Sequence, residues 1–215
     1  MARPLAAAAL SIFYLSSYDT DFLLVAEEDL LRARRVLASH FTVLDISGQN
    51  TDPISIPVAL AAPSTLGARV RRVLAVDRRP LHLIGLAPAS LVAAAGALLQ
   101  LVLWPSTAQG FLALCVTGER VSIVCDDAAV QVVQSVVGDA VLSYSTTFVR
   151  VHGHSEEQLG FDEPGIVDAL ARPLAQAQVP IFQISSFSTE HTLIARGDLP
   201  RALAALKSDG YVLEE

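Results

Sequence analysis

The sequence predicts an α+β protein built from repeated βαββαβ units, each with an antiparallel sheet. One observation is an internal repeat: residues 2–30 and 171–199 align without a gap at an offset of 169 residues, with 15 of 29 positions identical. The other is the order of strand-like and helix-like segments, which recurs along the chain. A repeat of this length is not expected by chance, so the chain contains at least two copies of one supersecondary unit.

The last third of the chain carries the complete pattern. Residues 146–153 are rich in the β-branched and aromatic side chains that strands favour. Pro164 suits the first position of a helix, and apolar residues then recur at helical spacing from Ile166 to Leu174, with Pro173 expected to kink the helix. Two strands, a helix capped by Asp198 and a final strand follow at residues 180–188, 190–196, 198–210 and 211–215.

The rest of the chain repeats this order less completely. The first copy begins partway through a helix, so its first strand is missing, and we expect a poorly closed unit and an incomplete chain start. A later stretch with several Pro and Gly residues lacks periodicity and is typical of a linker. The predicted organisation is an incomplete unit at residues 1–45, a linker at 46–70, and two further units at 71–146 and 147–215.

Composition excludes two classes of partner. The chain has 215 residues, 52% of them hydrophobic, which is enough to bury a substantial core. Its net charge is −7 and its Lys and Arg residues are scattered, so it has no electrostatic footprint for nucleic acid or an anionic membrane. The apolar run at residues 91–104 is shorter than the roughly 20 residues that a spanning helix needs and indicates a buried helix instead.

No pattern in the sequence indicates catalysis, a metal or a cofactor. It contains no Gly-rich phosphate loop and no nucleophile elbow. His152 and His154 would share one face of a strand, but no third ligand is close in sequence, and surface histidines are the simpler interpretation. Cys115 and Cys125 lie in apolar strand-like segments, which predicts buried thiols in a reducing compartment and therefore a cytoplasmic protein.

Residues 160–166, GFDEPGI, form the first candidate binding segment. A helix start exposes unpaired backbone N–H groups with a partial positive charge, and Gly165 in the first turn would let the carboxylate of an amino acid approach the backbone closely. Asp162 and Glu163 could meet a cationic group. The alternative, that these residues only cap an exposed helix, stays open.

The two copies of the repeat also share polar strand ends. Ser16-Ser17-Tyr18 and Ser185-Ser186-Phe187 are each followed by a Thr-acid pair, Thr20-Asp21 and Thr189-Glu190. These segments are either matched walls of a ligand site or turns in which Ser and Thr hydroxyls bond to the neighbouring backbone. Both interpretations stay open at this point.

At these motifs the sequence resembles the CASTOR family of cytosolic arginine sensors, which consist of tandem ACT units. SIFYLSSYDTDFLLVAEEDL is similar to the end of that family's second unit, and LGFDEPGIV with IFQISSFSTEHTLIARGDL is similar to its fourth. The resemblance covers almost the whole chain and is weakest in the linker and the middle unit. It implies tandem ACT-type units of ferredoxin-like topology, with the family's first unit and the start of its second missing here.

The resemblance also implies a ligand site. In the CASTOR family arginine lies between the second and fourth units, held by a strand-start Ser, a GFDE-x-GI loop, and a Ser/Thr-Phe strand end followed by an acid. The matching residues here are Ser11, Ile12, Glu163, Pro164, Gly165, Ile166, Ser186, Phe187 and Glu190. Two depart from the family pattern, which has a small residue in place of Pro164 and an Asp in place of Glu190. Glu reaches one methylene further, which would shift the ligand.

The function implied by the resemblance is a non-catalytic sensor in which bound arginine changes the surface offered to a protein partner. In the CASTOR family that partner is a GATOR complex upstream of the TOR kinase, and a homodimer is compatible with this role. A second hypothesis is a regulatory fragment of an amino-acid biosynthetic enzyme such as an aspartokinase. A third is a dimerisation module without a ligand.

Overall fold

The computed structural model describes residues 1–44, 73–103, 110–153, 164–186 and 189–214. The α-helices in these ranges are α1 (Ala2–Ala7), α2 (Leu30–Ala38), α3 (Leu91–Leu103), α4 (Asp127–Val137), α5 (Ile166–Gln176) and α6 (Leu199–Ser208). The strands are β1 (Phe13–Ser16), β2 (Asp21–Leu24), β3 (Val73–Leu86), β4 (Ala113–Val116), β5 (Val121–Cys125), β6 (Leu142–Ser143), β7 (Phe148–Gly153), β8 (Ile181–Ser185), β9 (Glu190–Ala195) and β10 (Val212–Glu214).

All ten strands belong to one continuous sheet. Its main order is β2-β1-β8-β9-β7-β3-β5-β4, and the neighbours along this path are antiparallel. β6 also pairs with β3 in the antiparallel sense, whereas β10 pairs with β3 in parallel. The predicted α+β class with antiparallel sheets is therefore confirmed, with one parallel pair as the exception.

Strand β3 joins the middle and last parts of the sheet. Its first half pairs with β7 and β10, and its second half pairs with β5 and β6. The register against β7 shifts between Asp77 and Leu81, around Pro80, which has no N–H to donate to a ladder. One strand thus serves two units. The unit boundaries predicted near residues 71 and 147 stay predictions, and the predicted linker at 46–70 lies outside the described residues.

Four apolar clusters hold the elements together. The last unit has the largest, in which α5 and α6 pack on β7 through residues such as Leu174, Leu206 and Val151, all fully buried. The middle unit packs α3 and α4 on β3 and β5, and the first unit packs α1 against α2. A fourth cluster, which includes Leu83 and Ile184, joins the middle unit to the sheet of the last unit.

The N-terminal segment belongs to the fold, as the repeat predicted. Leu5 of α1 is fully buried in the core of the first unit. α3 is the apolar run that the sequence predicted as a buried helix, and it is 13 residues long, but only the face with Ala94, Leu98 and Leu101 is buried, so that prediction was too strong. Among the described residues, no helix combines the length and the apolar character needed to cross a bilayer.

Several local predictions need correction. α5 begins at Ile166, so Pro164 precedes the helix and does not occupy its first position. Asp198 precedes α6 as its N-cap residue, but its carboxylate accepts a hydrogen bond from Arg201 at 2.6 Å and does not cap the helix. The βαββαβ order would end the first unit with a strand after α2, but the described part of the chain has there only a single bridge residue, Leu44.

The cysteines are free thiols, but only one is fully buried. Cys125 on β5 has no exposed surface, and burial raises the pKa of its thiol to about 12. Cys115 on β4 is half-buried. The prediction of two buried thiols therefore holds for Cys125 and is too strong for Cys115.

Candidate functional site

The two copies of the repeat meet around a local two-fold axis. β1 and β8 pair antiparallel with Leu15 opposite Ile184, which are equivalent positions in the repeat. Two hydrogen bonds cross this contact: the backbone N–H of Tyr14 donates to Ser185 Oγ at 2.9 Å, and that of Gln183 donates to Ser16 Oγ at 3.1 Å. Since Tyr14 and Ser16 are the equivalents of Gln183 and Ser185, the bonds are reciprocal, as an isologous contact requires.

The Ser-Ser strand ends form matching turns. Ser17 Oγ donates to the Thr20 carbonyl at 2.8 Å, and Ser186 Oγ donates to the Thr189 carbonyl at the same distance. The Thr20 and Thr189 N–H groups donate back to the two hydroxyls. Of the two interpretations left open by the sequence, turn chemistry therefore accounts for the contacts of Ser17 and Ser186.

Glu190 lies at the end of β9 in a polar cluster on the sheet face that carries α5. Its carboxylate accepts hydrogen bonds from Ser185 Oγ at 2.8 Å and from Gln183 Nε2 at 3.1 Å. Thr192 Oγ1 in turn donates to Gln183 Oε1 at 2.7 Å, which fixes the orientation of that amide. Burial raises the pKa of Glu190, and the two neutral donors offset this effect only in part.

The first unit carries a related cluster with different chemistry. Tyr14 occupies the position of Gln183, and Asp21 that of Glu190. Burial, and then the hydrogen bond and charge of Asp21, raise the pKa of Tyr14. Asp21 is exposed to solvent, whereas Glu190 is half-buried. The repeat has therefore placed a carboxylate at the same position twice, but only the one in the last unit is substantially desolvated.

Gly165 positions the start of α5 against the first unit. It is the N-cap residue with φ of 91°, a left-handed conformation that glycine adopts without strain, so it does not belong to the first helical turn as predicted. A Cβ atom at Gly165 would lie 3.7 Å from the Cβ atom of Ala6 on α1. No side chain of the described residues caps α5, whose first N–H groups have no partner within the helix itself.

The structure brings together some of the predicted ligand residues. Gly165 and Ile166 begin α5 beside α1, and Ser11 and Ile12, both half-buried, follow α1 at the start of β1. Pro164 lies in the turn directly before Gly165. Glu190 is the first residue of β9, and Ser186 directly follows the last residue of β8. Glu163 and Phe187 lie outside the described residues, as does His154.

Of the two residues that hold Glu190, sequence reasoning named Ser185 as part of a polar strand end but missed Gln183. Gln183 and Ser185 are fully buried polar residues on one face of an otherwise apolar strand. That alternation was visible in the sequence, since buried polar side chains are uncommon and need partners. Ser16, also buried, shows the same signal in the first copy.

A second contact that the sequence did not predict joins the first and middle units. The ring of Tyr18 lies over Gly85 of β3, where a Cβ atom would come within 2.9 Å of Tyr18 Cγ. The Tyr18 N–H donates to Ser122 Oγ at 2.7 Å, and Arg120, which stacks near the same ring, pairs with Asp19 at 2.7 Å. The β1–β2 turn is therefore docked on the middle unit.

The opposite face of the sheet carries cationic and aromatic residues. Arg150 pairs with Asp77 at 2.8 Å and stacks on the ring of Phe111. His191 lies opposite His152, and burial, with the charge of Arg150, lowers the pKa of His191 to about 4. Nowhere in the described ranges do three His, Cys, Asp or Glu side chains come together as a metal site.

A comparison with protein families identifies the same two segments as the internal repeat. The family model of the ACT domain matches residues 1–39 and 144–208, which contain the two copies. The cytosolic arginine sensor for mTORC1 subunit 1 of Rattus norvegicus is 29% identical over 220 residues, covering 91% of this chain and 63% of the relative. The protein of the same name from Bos taurus is 28% identical over 229 residues, covering 95% and 66%. The chain thus spans 63% to 66% of the length of these curated relatives.

Among solved structures, similarity is weaker. A protein from Agobacterium tumefaciens matches with a TM-score of 0.49 and 23% identity, covering 66% of this chain and 93% of that one. The regulatory subunit of aspartate kinase from Thermus flavus matches with a TM-score of 0.47 and 14% identity, covering 63% and 95%.

Proposed function

We propose that this chain, whose first and last units match the ACT-domain family model, is a non-catalytic sensor that binds arginine between these two units. The observation that carries the proposal is the desolvated carboxylate of Glu190 beside the contact of the two repeats. Its partners in the structure are neutral donors, so a guanidinium group placed there would stabilise its charged form by a charge-assisted hydrogen bond.

The other end of the ligand would meet α5. The carboxylate of arginine would accept hydrogen bonds from the N–H groups at the start of this helix, where Gly165 leaves room for close approach. Ser11 and Ile12 would form the wall contributed by the first unit. Glu163, Pro164, Ile166, Ser186 and Phe187 complete the proposed set.

Binding between two units also provides a way to signal. A ligand held by both repeats favours the arrangement in which they are in contact, and so changes the surface that they present together. We propose that a protein partner in TOR signalling, a GATOR-type complex, recognises this surface. We also propose that the protein acts in the cytoplasm. The relatives are named as cytosolic sensors for mTORC1, which supports this proposal.

Self-association is a separate part of the proposal. The outer face of α3 exposes Val92, Leu99, Val102 and Leu103 and carries no charge. An uncharged apolar face can pair with the same face of a second copy, so we propose a homodimer through α3. Light scattering should report a dimer for the wild type and a monomer for Leu99→Glu; a wild-type monomer at high concentration would contradict it.

Calorimetry with arginine tests the ligand site. Glu190→Gln keeps the shape of the side chain and removes its charge, so the affinity for arginine should fall roughly 10- to 150-fold, corresponding to about 1.5–3 kcal/mol for a charge-assisted bond. Asp21→Asn is the matched control, because it removes the equivalent carboxylate of the first unit and should leave the affinity unchanged. Unaltered arginine binding by Glu190→Gln would refute the site. Binding of a different amino acid in preference to arginine would favour the regulatory domain of a biosynthetic enzyme.

A further inference from the structure

A cavity of about 380 Å³ lies between α1 and α5, above the strands β1 and β8. Its volume falls in the range of small-molecule sites. The residues that carry its chemistry are Arg3, Tyr14, Asp168, Arg172, Ile181 and Gln183. Apart from Gln183, which donates to Glu190, these residues lie outside the arginine site proposed above, which was assigned to the start of α5 and the adjoining ends of β8 and β9.

The local two-fold axis passes through this cavity, because it exchanges Arg3 with Arg172 and both line the cavity. The axis exchanges Ile12 with Ile181 and Ala6 with Ala175. Ala6 faces Gly165, and Ile12 belongs to the proposed site, whereas Ala175 and Ile181 both line the cavity. The cavity therefore lies between the two copies, each of which contributes one arginine, and it is separate from the start of α5, where the arginine site is proposed.

The charges around the cavity indicate what it can bind. Asp168 and Arg172 lie one turn apart on α5, and Arg3 lies across from them on α1. Arg172 pairs with Asp209 only at 4.0 Å, a weak surface contact. Two guanidinium groups and one carboxylate are complementary to a ligand with two carboxylates and one ammonium group, and the apolar wall formed by Val167, Val179 and Ile181 suits a short aliphatic chain.

We propose that this cavity is a second ligand site, which binds an acidic amino acid with its carboxylates at Arg3 and Arg172 and its ammonium group at Asp168. The floor of the cavity includes Gln183, whose amide also donates to Glu190 at 3.1 Å. The two sites therefore share one side chain. A ligand in the cavity that moves this amide changes the hydrogen bonding of Glu190, and by linkage arginine changes the affinity of the cavity by the same factor.

Titration calorimetry on the full chain with L-glutamate and L-aspartate tests the proposal. We expect one glutamate or aspartate per chain, and at least a roughly tenfold loss of affinity in Arg172→Gln, which removes one charge-assisted contact. Lys207→Gln is the control, because it removes one positive charge from the exposed end of α6, outside the cavity. Succinate, which lacks the ammonium group, should bind more weakly than glutamate. Melting curves establish that each variant is folded.

Three results would overturn the second site: no heat from either acidic amino acid up to about 10 mM, equal loss of affinity in Arg172→Gln and Lys207→Gln, or equal binding of succinate and glutamate. A competition experiment between glutamate and arginine rests in addition on the proposed function. Protein saturated with glutamate should still bind one arginine per chain, and one-for-one displacement would mean a single shared site. If arginine never binds but glutamate does, the proposed function fails and the second site stands.

Discussion

The first and last units contain the same repeated sequence in different surroundings, and the difference shows how one motif acquires two roles. In the last unit, the repeat packs against two long helices and a large core that includes Leu174 and Leu206. In the first unit, the same segments pack in a much smaller core around Leu5. Both copies form an antiparallel strand pair with the same Ser-Ser turn, so the repeat governs this local shape, whereas the neighbouring elements govern the size of the core.

The strand ends of the two copies make the same point for function. In the first copy, the turn is anchored to the middle unit by Tyr18, and its carboxylate, Asp21, faces solvent. In the last copy, the carboxylate, Glu190, is desolvated and held by buried amide and hydroxyl groups. A desolvated carboxylate interacts more strongly with a cationic partner than a solvated one does, because the effective dielectric constant around it is lower. The comparison thus shows a turn anchored by Tyr18 in the first copy, and it supports the proposal that the ligand site uses the carboxylate of the last copy.

The largest expected effect comes from the two cores. Leu5 and Leu174 are equivalent in the repeat, and both are fully buried. Each Leu→Ala change should destabilise the protein by about 2–5 kcal/mol, with Leu174→Ala at the upper end because its larger cluster leaves a better-defined cavity. Urea unfolding monitored by circular dichroism measures both. Equal losses would mean that the first unit is packed as well as the last.

The docking of the first copy can be broken at Gly85. Gly85→Ala places a methyl group about 2.9 Å from the ring of Tyr18, which must move, so we expect a loss of about 1–3 kcal/mol. Gly118→Ala is a suitable control because nothing surrounds that position within 4 Å. Thermal melting compares the two variants. A Gly85→Ala protein as stable as the control would show that Tyr18 does not anchor the turn.

A smaller effect distinguishes the two serines that cross the local axis. Ser16→Ala and Ser185→Ala each leave a backbone N–H without its acceptor, which should cost about 0.5–1.5 kcal/mol. Ser185→Ala should cost more, because Ser185 also donates to Glu190. Chemical denaturation of both variants tests this order, and the reverse order would place the stronger polar network in the first unit.

The smallest expected effect is a pH dependence. The pKa of Glu190 is raised in the folded state, so the unfolded chain loses this proton at lower pH than the folded protein does. Its contribution to stability is therefore present below the unfolded pKa and is lost as pH rises through the folded pKa. In that pH window, the melting temperature of Glu190→Gln should depend less on pH than that of the wild type. Asp21→Asn serves as the comparison, and an equal change in both would contradict the role of burial.

Whether a feature could be predicted from the sequence depended on whether neighbouring residues or distant residues determine it. Helix α5 and strands β8 and β9 were predictable because apolar periodicity and turn residues are local signals. The exact start of α5 was not, since Pro164 and Gly165 suit either the first turn or the residues before it. Ser186 was predicted both as a ligand wall and as a turn residue, and its contact with Thr189 identified the turn.

The sequence by itself determined the repeat, the order of strands and helices, and the position of a carboxylate at the end of each duplicated strand, because identity between segments and local periodicity encode them. Only the tertiary structure decided that β10 pairs with β3, that Tyr18 lies over Gly85, and that Gln183 holds Glu190. The first two contacts join residues far apart in the chain. The third depends on which face of the sheet the helices cover, because that decides whether a polar side chain is solvated or must find a partner.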